Sequence, residues 1–91
     1  MTSDSKKRQV RDMIKNCMHL IDQEIDLHMQ GKSADADIDT LNKIRAQLER
    51  MCEVLSAKVY MPNYDYIIRD SWDFMRIGEE LLKVYYKYLE I

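Results

Sequence analysis

The chain has 91 residues, enough for one domain with a modest core and too few for a second. Two glycines and one proline, against 46% hydrophobic and 33% charged residues, describe a helical protein and exclude a turn-rich β fold. A formal charge of -2 argues against a general nucleic-acid binder, whose affinity comes from many Lys and Arg contacts to phosphate. No run approaches the roughly 20 apolar residues of a membrane span, and the charged start Met1 to Arg11 is followed by no signal-peptide core, so a cytoplasmic chain without membrane contact is expected.

The first element is a helix over about 5–30, with residues 1–4 as a flexible start. Val10, Ile14, Cys17, Ile21, Ile25 and His28 recur at helical spacing, widened by Met13, Met18, Leu20 and Leu27. Ser3, Asp4 and Ser5 offer N-caps, and Gly31 stands where a left-handed C-terminal cap is wanted. The charges on this helix are polarised. Lys6, Lys7, Arg8, Arg11 and Lys15 lie towards its N-terminus and Asp22, Glu24 and Asp26 towards its C-terminus, the reverse of what the helix dipole favours. Such a layout suits an acidic partner, a nucleic-acid backbone or an oppositely polarised neighbouring helix; the simpler alternative is a solvated N-terminus.

After a polar connector over 32–37, a second helix is expected over about 37–59. Ile38, Leu41, Ile44, Leu48, Met51, Leu55 and Val59 keep the three-and-four rhythm, and Asp35, Asp37 and Asp39 sit near its positive end. Pro62 disfavours a helical Met61, and Asn63 is placed to cap the next element.

The third helix is expected over about 64–90, with a break near 70–71 as the alternative because Asp70 or Ser71 could cap a shorter helix. A polar stripe, Asp65, Arg69, Asp73, Arg76, Glu80, Lys83, Lys87 and Glu90, runs through the whole segment. Opposite it, Tyr64, Ile67, Ser71, Met75, Gly78, Leu82, Tyr85 and Leu89 form one ridge, flanked by further apolar residues. The segment is therefore apolar around more than the roughly 100° stripe an outer helix needs. The expected fold is all-α, an up-down-up three-helix bundle in a single domain over 1–91.

Chemistry has little footing in these residues. Glu24 and His28 are four apart where a di-iron bundle uses Glu-x-x-His, and Cys17-x-His19 points two ways from a helix, so neither metal nor other cofactor is expected. No nucleophile, base and orienting group stand in a recognisable motif, and no catalytic residues are assigned. Cys17 and Cys52 are expected to be reduced core residues, His28 a core or interfacial histidine and His19 an exposed one.

Binding has more. Tyr60, Tyr64, Tyr66 and Trp72 surround Pro62 and the start of the third helix, with Asp65, Asp70 and Asp73 among them, giving aromatic anchors ringed with acid. These residues predict a non-enzymatic protein-binding module for a partner with a basic surface, an inhibitor of the immunity or antitoxin kind by analogy of size and charge alone. The alternative is a homo-oligomeric scaffold or adaptor that buries the wide apolar face of the third helix in a dimer. A nucleic-acid regulator using Lys6 to Lys15 stands third.

Overall fold

The computed structural model describes residues 2–32, 37–71 and 77–91, and among these the chain forms four helices and no strand. They are α1 (Thr2–Met29), α2 (Ile38–Val54), α3 (Tyr64–Ser71) and α4 (Gly78–Leu89). The expected all-α class holds.

α1 sets the length of the molecule: its 28 residues, at about 1.5 Å each, reach roughly 42 Å, and the longest dimension of the protein is 46 Å. The stretch expected to be a flexible start is helical from Thr2, which places Asp4 in the first turn and Lys6 to Lys15 beyond it. The dipole therefore bears on those cations less than a later start would imply, because its effect falls off within one turn. At the other end Gly31 takes φ +73, the left-handed conformation expected there. Its N–H donates to the His28 carbonyl at 3.0 Å and that of Lys32 to the Leu27 carbonyl at 2.8 Å, the paired bonds of a Schellman cap.

Val10, Ile14, Cys17 and Ile21 form the buried stripe of α1, and both longer partners lie along it in the opposite direction. α2 pairs Arg45 with Asp22, while Glu49, Cys52 and Glu53 lie beside Lys15 and Met18. α4 brings the Glu80 carbonyl to the Cys17 thiol and Lys87, Glu90 and Ile91 to Lys6, Gln9 and Val10. Leu41, Ile44, Leu48 and Met51 from α2, and Leu81, Val84, Tyr85 and Tyr88 from α4, complete the core.

Asp37 starts α2, its carboxylate accepting from the Thr40 N–H at 2.7 Å. The helix ends at Val54 and not near 57–60, because Leu55 adopts φ 47, ψ 45 and its N–H closes on the Met51 carbonyl at 2.8 Å. A leucine in this conformation costs about 1–2 kcal/mol. Leu55 is only 4% exposed, and burial of a leucine side chain, worth about 1.5–3 kcal/mol, offsets the strain.

The expected single helix over 64–90 is two helices. Along one helix Tyr64 and Tyr85 would stand about 31 Å apart, yet their ring centroids are 5.5 Å apart at 74°. The chain thus folds back between α3 and α4, and the break follows Ser71, where the alternative reading put it. The up-down-up order changes with it, since α4 runs antiparallel to α1 where a continuous third helix would run parallel. Residues 72–76, with Trp72, Asp73, Phe74, Met75 and Arg76, lie outside the described residues, as do 33–36. The buried face of α4 is Gly78, Leu81, Val84, Tyr85 and Tyr88, one step round from the expected ridge, leaving Leu82 half-buried and Leu89 exposed.

Replacing Asp37 with Ala should lower stability in urea by about 1 kcal/mol at neutral pH. The Thr40 hydrogen bonds hold the Asp37 carboxyl below its ordinary value. Its contribution is therefore complete above the unfolded value of about 3.9 and fades as pH falls through the depressed folded value, so the gap between wild type and variant should narrow there.

Candidate functional site

The segment between α2 and α3 follows a period of two. Tyr60 is half-buried, Pro62 and Tyr64 are fully buried, and Val59, Met61 and Asn63 between them face solvent. The alternation spans a turn over 57–59, an irregular stretch over 60–63 and the first residue of α3. What distinguishes it is that two of the three outward residues are apolar: Val59 is 65% exposed and Met61 55%. Tyr66, two residues into α3, adds a ring that is 71% exposed.

The segment is held from beneath by hydrogen bonds that fix its path. The Tyr88 hydroxyl lies 2.8 Å from the Ser56 carbonyl and 2.7 Å from that of Tyr60, and donates its one proton between them. Within the segment, the N–H groups of Val59 and Tyr60 both turn back to the Ser56 carbonyl. Asn63 is locked to α2: its N–H donates to Gln47 Oε1 at 2.9 Å and its side-chain carbonyl accepts from Gln47 Nε2 at 2.8 Å. The Asn63 carboxamide oxygen, expected to cap α3, is thus engaged with Gln47.

The expected anchors separate into two groups. Tyr64 is a core residue: fully buried, it donates to the Leu81 carbonyl at 2.6 Å and meets Tyr85 edge to face. Burial, reinforced by Cys17, Tyr85 and Asp65, raises its phenol far above the ordinary range, so it remains a donor. Asp65 is half-buried and accepts from the Tyr85 hydroxyl, whose own value is raised by burial and by that carboxylate. Tyr60 and Tyr66 keep access to solvent, Tyr66 the more so. Asp70 lies in the last turn of α3, and Trp72 and Asp73 are outside the described residues. Tyr64 cannot serve as a surface anchor, in keeping with its place at the head of the apolar ridge of the third helix.

Val59 carried no signal as a binding residue, because in sequence it reads as the end of the second helix, and Met61 reads only as the residue that Pro62 keeps out of a helix. Their exposure follows from the early stop at Leu55. Beside this patch, Arg69 of α3 lies over the Tyr86 ring at 5.5 Å, and Tyr86, 44% exposed, meets Tyr85 at right angles.

The apolar excess of the 64–90 segment is largely taken up internally. Tyr64 and Ile68 from α3, with Ile77, Leu81, Val84, Tyr85 and Tyr88, are all buried, α3 packing onto α4 and α4 onto α1.

Among the described residues no three His, Cys, Asp or Glu side chains converge where they could hold a metal ion. None of the helices in those residues is long and apolar enough to cross a membrane. Both cysteines are free thiols. His19 is exposed, with a ring nitrogen 3.2 Å from Gln23 Nε2, and His28 is half-buried. Comparison with known protein families, curated proteins and solved structures gave no match.

Tyr64→Phe removes a buried hydrogen bond and leaves the ring in place, so the urea midpoint should fall by the equivalent of about 1–2 kcal/mol with an unchanged slope. Cysteine chemistry offers a second check. Burial and the neighbouring Glu80 push the Cys17 thiol up to about 12, and since the thiolate is the reactive species, a maleimide at pH 8 should label half-buried Cys52 and leave Cys17 untouched until the protein is unfolded.

Proposed function

We propose that this chain is a non-enzymatic protein-binding module, an inhibitor of the immunity or antitoxin kind that blocks a partner by occupying its working surface. The observation that carries the reading is the exposure of three large apolar side chains close in sequence, Val59 and Met61 on the connector behind α2 and Tyr66 in α3, with Pro62 and Tyr64 between them fixed in the core. Large apolar side chains grouped in solvent sacrifice solubility unless something covers them. Because Pro62, Tyr64, Tyr88 and the Gln47–Asn63 pair already hold the backbone, a partner meets these side chains pre-ordered and loses little conformational entropy on docking. A large aromatic ring with two aliphatic residues is the composition of a binding hot spot, and the three lie within eight residues of sequence.

Electrostatics supply the rim. Asp65, Asp70 and Asp73 follow the patch along the chain, and together they favour a partner with cations around an apolar centre. The Tyr85 hydroxyl donates to the Asp65 carboxylate and orients it. Tyr60, half-buried at the edge of the series, contributes its exposed face, and Trp72 belongs to the same stretch of sequence. Tyr64 acts from below by positioning.

The test is to purify tagged chain from its native cells with and without the paired change Val59→Ser and Tyr66→Ser. Both positions are exposed, so helicity and melting temperature should stay close to wild type. A protein that co-purifies with wild type and with the surface control Lys83→Ala should be lost from the paired variant. Equal recovery with both would overturn the proposal.

A further inference from the structure

α1 presents to solvent a second seam that plays no part in the surface above. Arg8, Arg11, Lys15, Met18, Asp22, Asp26 and Met29 follow one another at intervals of three or four, which confines them to an arc of about 100° on a straight helix. Arg8, Arg11, Lys15 and Asp26 are exposed, the Asp22 side chain is 49% exposed, and Met29 is 76% exposed. The order of sign along this seam is antisymmetric: three cations, then Met18 at the centre, then two carboxylates.

Within one chain this arrangement costs stability and gains almost none. Lys7, Arg11 and Lys15 stand at successive i,i+4 positions, as do Asp22 and Asp26, and each like-charged pair of that spacing opposes the helix. Asp22 is drawn to Arg45 of α2, which donates to it through Nε at 2.8 Å and Nη2 at 3.2 Å and also pairs with Glu49. Arg8, Arg11, Lys15 and Asp26 form no ion pair among the described residues.

We propose that two copies of this chain associate through antiparallel α1 helices, with Arg11 of each against Asp26 of the other and Lys15 against Asp22. The register follows from the numbers: pairing 11 with 26 also pairs 15 with 22 and sets Met18 against His19 at the two-fold axis. Such a contact is isologous, so every complementary pair occurs twice. Met18 supplies the apolar centre, bordering a shallow groove of about 290 Å³ shared with Cys52 of α2. Arg45 is shared between Asp22 and Glu49, so the three groups together carry a net charge of one negative unit and this half of the seam stays acidic. A uniformly negative partner such as a nucleic acid fits less well, because the carboxylates 11 to 15 residues further along the same face repel it. The second copy is the occupant whose charge reverses where this one does.

Sedimentation of the full chain at tens of micromolar tests the proposal, at about 20 mM salt and at about 500 mM, where the screening length falls to a few ångström. The expected result is a dimer at low salt that dissociates at high salt. Arg11→Asp and Asp26→Arg, each at an exposed position, should separately weaken association about tenfold or more, because two-fold symmetry sets like charges together twice. Arg11→Asp combined with Asp26→Arg in one chain should restore it, with helicity by circular dichroism unchanged throughout. The Val59→Ser and Tyr66→Ser chain should dimerise as wild type does, which separates this contact from the partner-binding surface. A monomer at low salt, association indifferent to the single reversals, or a double variant without rescue would each overturn the proposal. So would a chain that stays monomeric and binds an anionic oligonucleotide through the same cations.

Discussion

Everything in this protein depends on one strip of α1, the buried faces of Val10, Ile14, Cys17 and Ile21. Helices shorter than about 12–15 residues are marginal in water, and α3 and α4 have 8 and 12 residues. α4 exists because α1 offers it an apolar surface, and α3 because α4 does the same for it. α2 approaches the same strip from another side and runs in the same direction as α4, so the core is a wedge between two parallel neighbours and a longer antiparallel one. The thiol of Cys17 sits in that wedge, donating weakly to the Glu80 carbonyl at 3.7 Å, with its ionisation suppressed.

Two tyrosine hydroxyls join the parts that hydrophobic contact alone would leave free to slide. Tyr64 reaches from α3 to the backbone of α4, and Tyr88 reaches from α4 to the backbone behind α2. Each is an apolar ring that fills the core and a polar tip that satisfies a carbonyl, so each fixes both depth and register. The segment from Ser56 to Asn63 is thereby specified from three directions, by Tyr88, by its own turn at Ser56 and by Gln47. A binding surface on such a segment needs little rigidity from its own side chains, which leaves Val59, Met61 and Tyr66 to point outward.

Periodicity in the sequence was enough to locate α1, the Gly31 cap, the start of α2 and the core positions of both helices, because each of those depends on neighbours within a turn or two. It failed where a long-range contact decided the outcome. The charged stripe from Asp65 to Glu90 keeps its rhythm across the break, since a stripe records which residues face water and both α3 and α4 turn a face to water. The fold-back is encoded in Tyr64 finding Leu81 and Tyr85, a contact no local rule reveals. The acid-ringed tyrosines divided for a similar reason. Tyr64 and Tyr66 are alike in composition and two residues apart in α3, and the roughly 200° turn of the helix between them separates a core residue from a surface one. Val59 was missed because the end of α2 lies at a residue type that seldom ends helices.

That residue, Leu55, ties together two properties that most proteins vary separately. Its backbone sets where α2 stops, and its side chain fills part of the core. A glycine there would ease the turn and empty the space, while a β-branched residue would occupy the space and resist the turn. The length of α2 and the volume beneath the outward segment are therefore inherited as one trait. Any drift in sequence that lengthens the helix must also find a new plug for the core, and would draw Val59 and Met61 back into a helical phase.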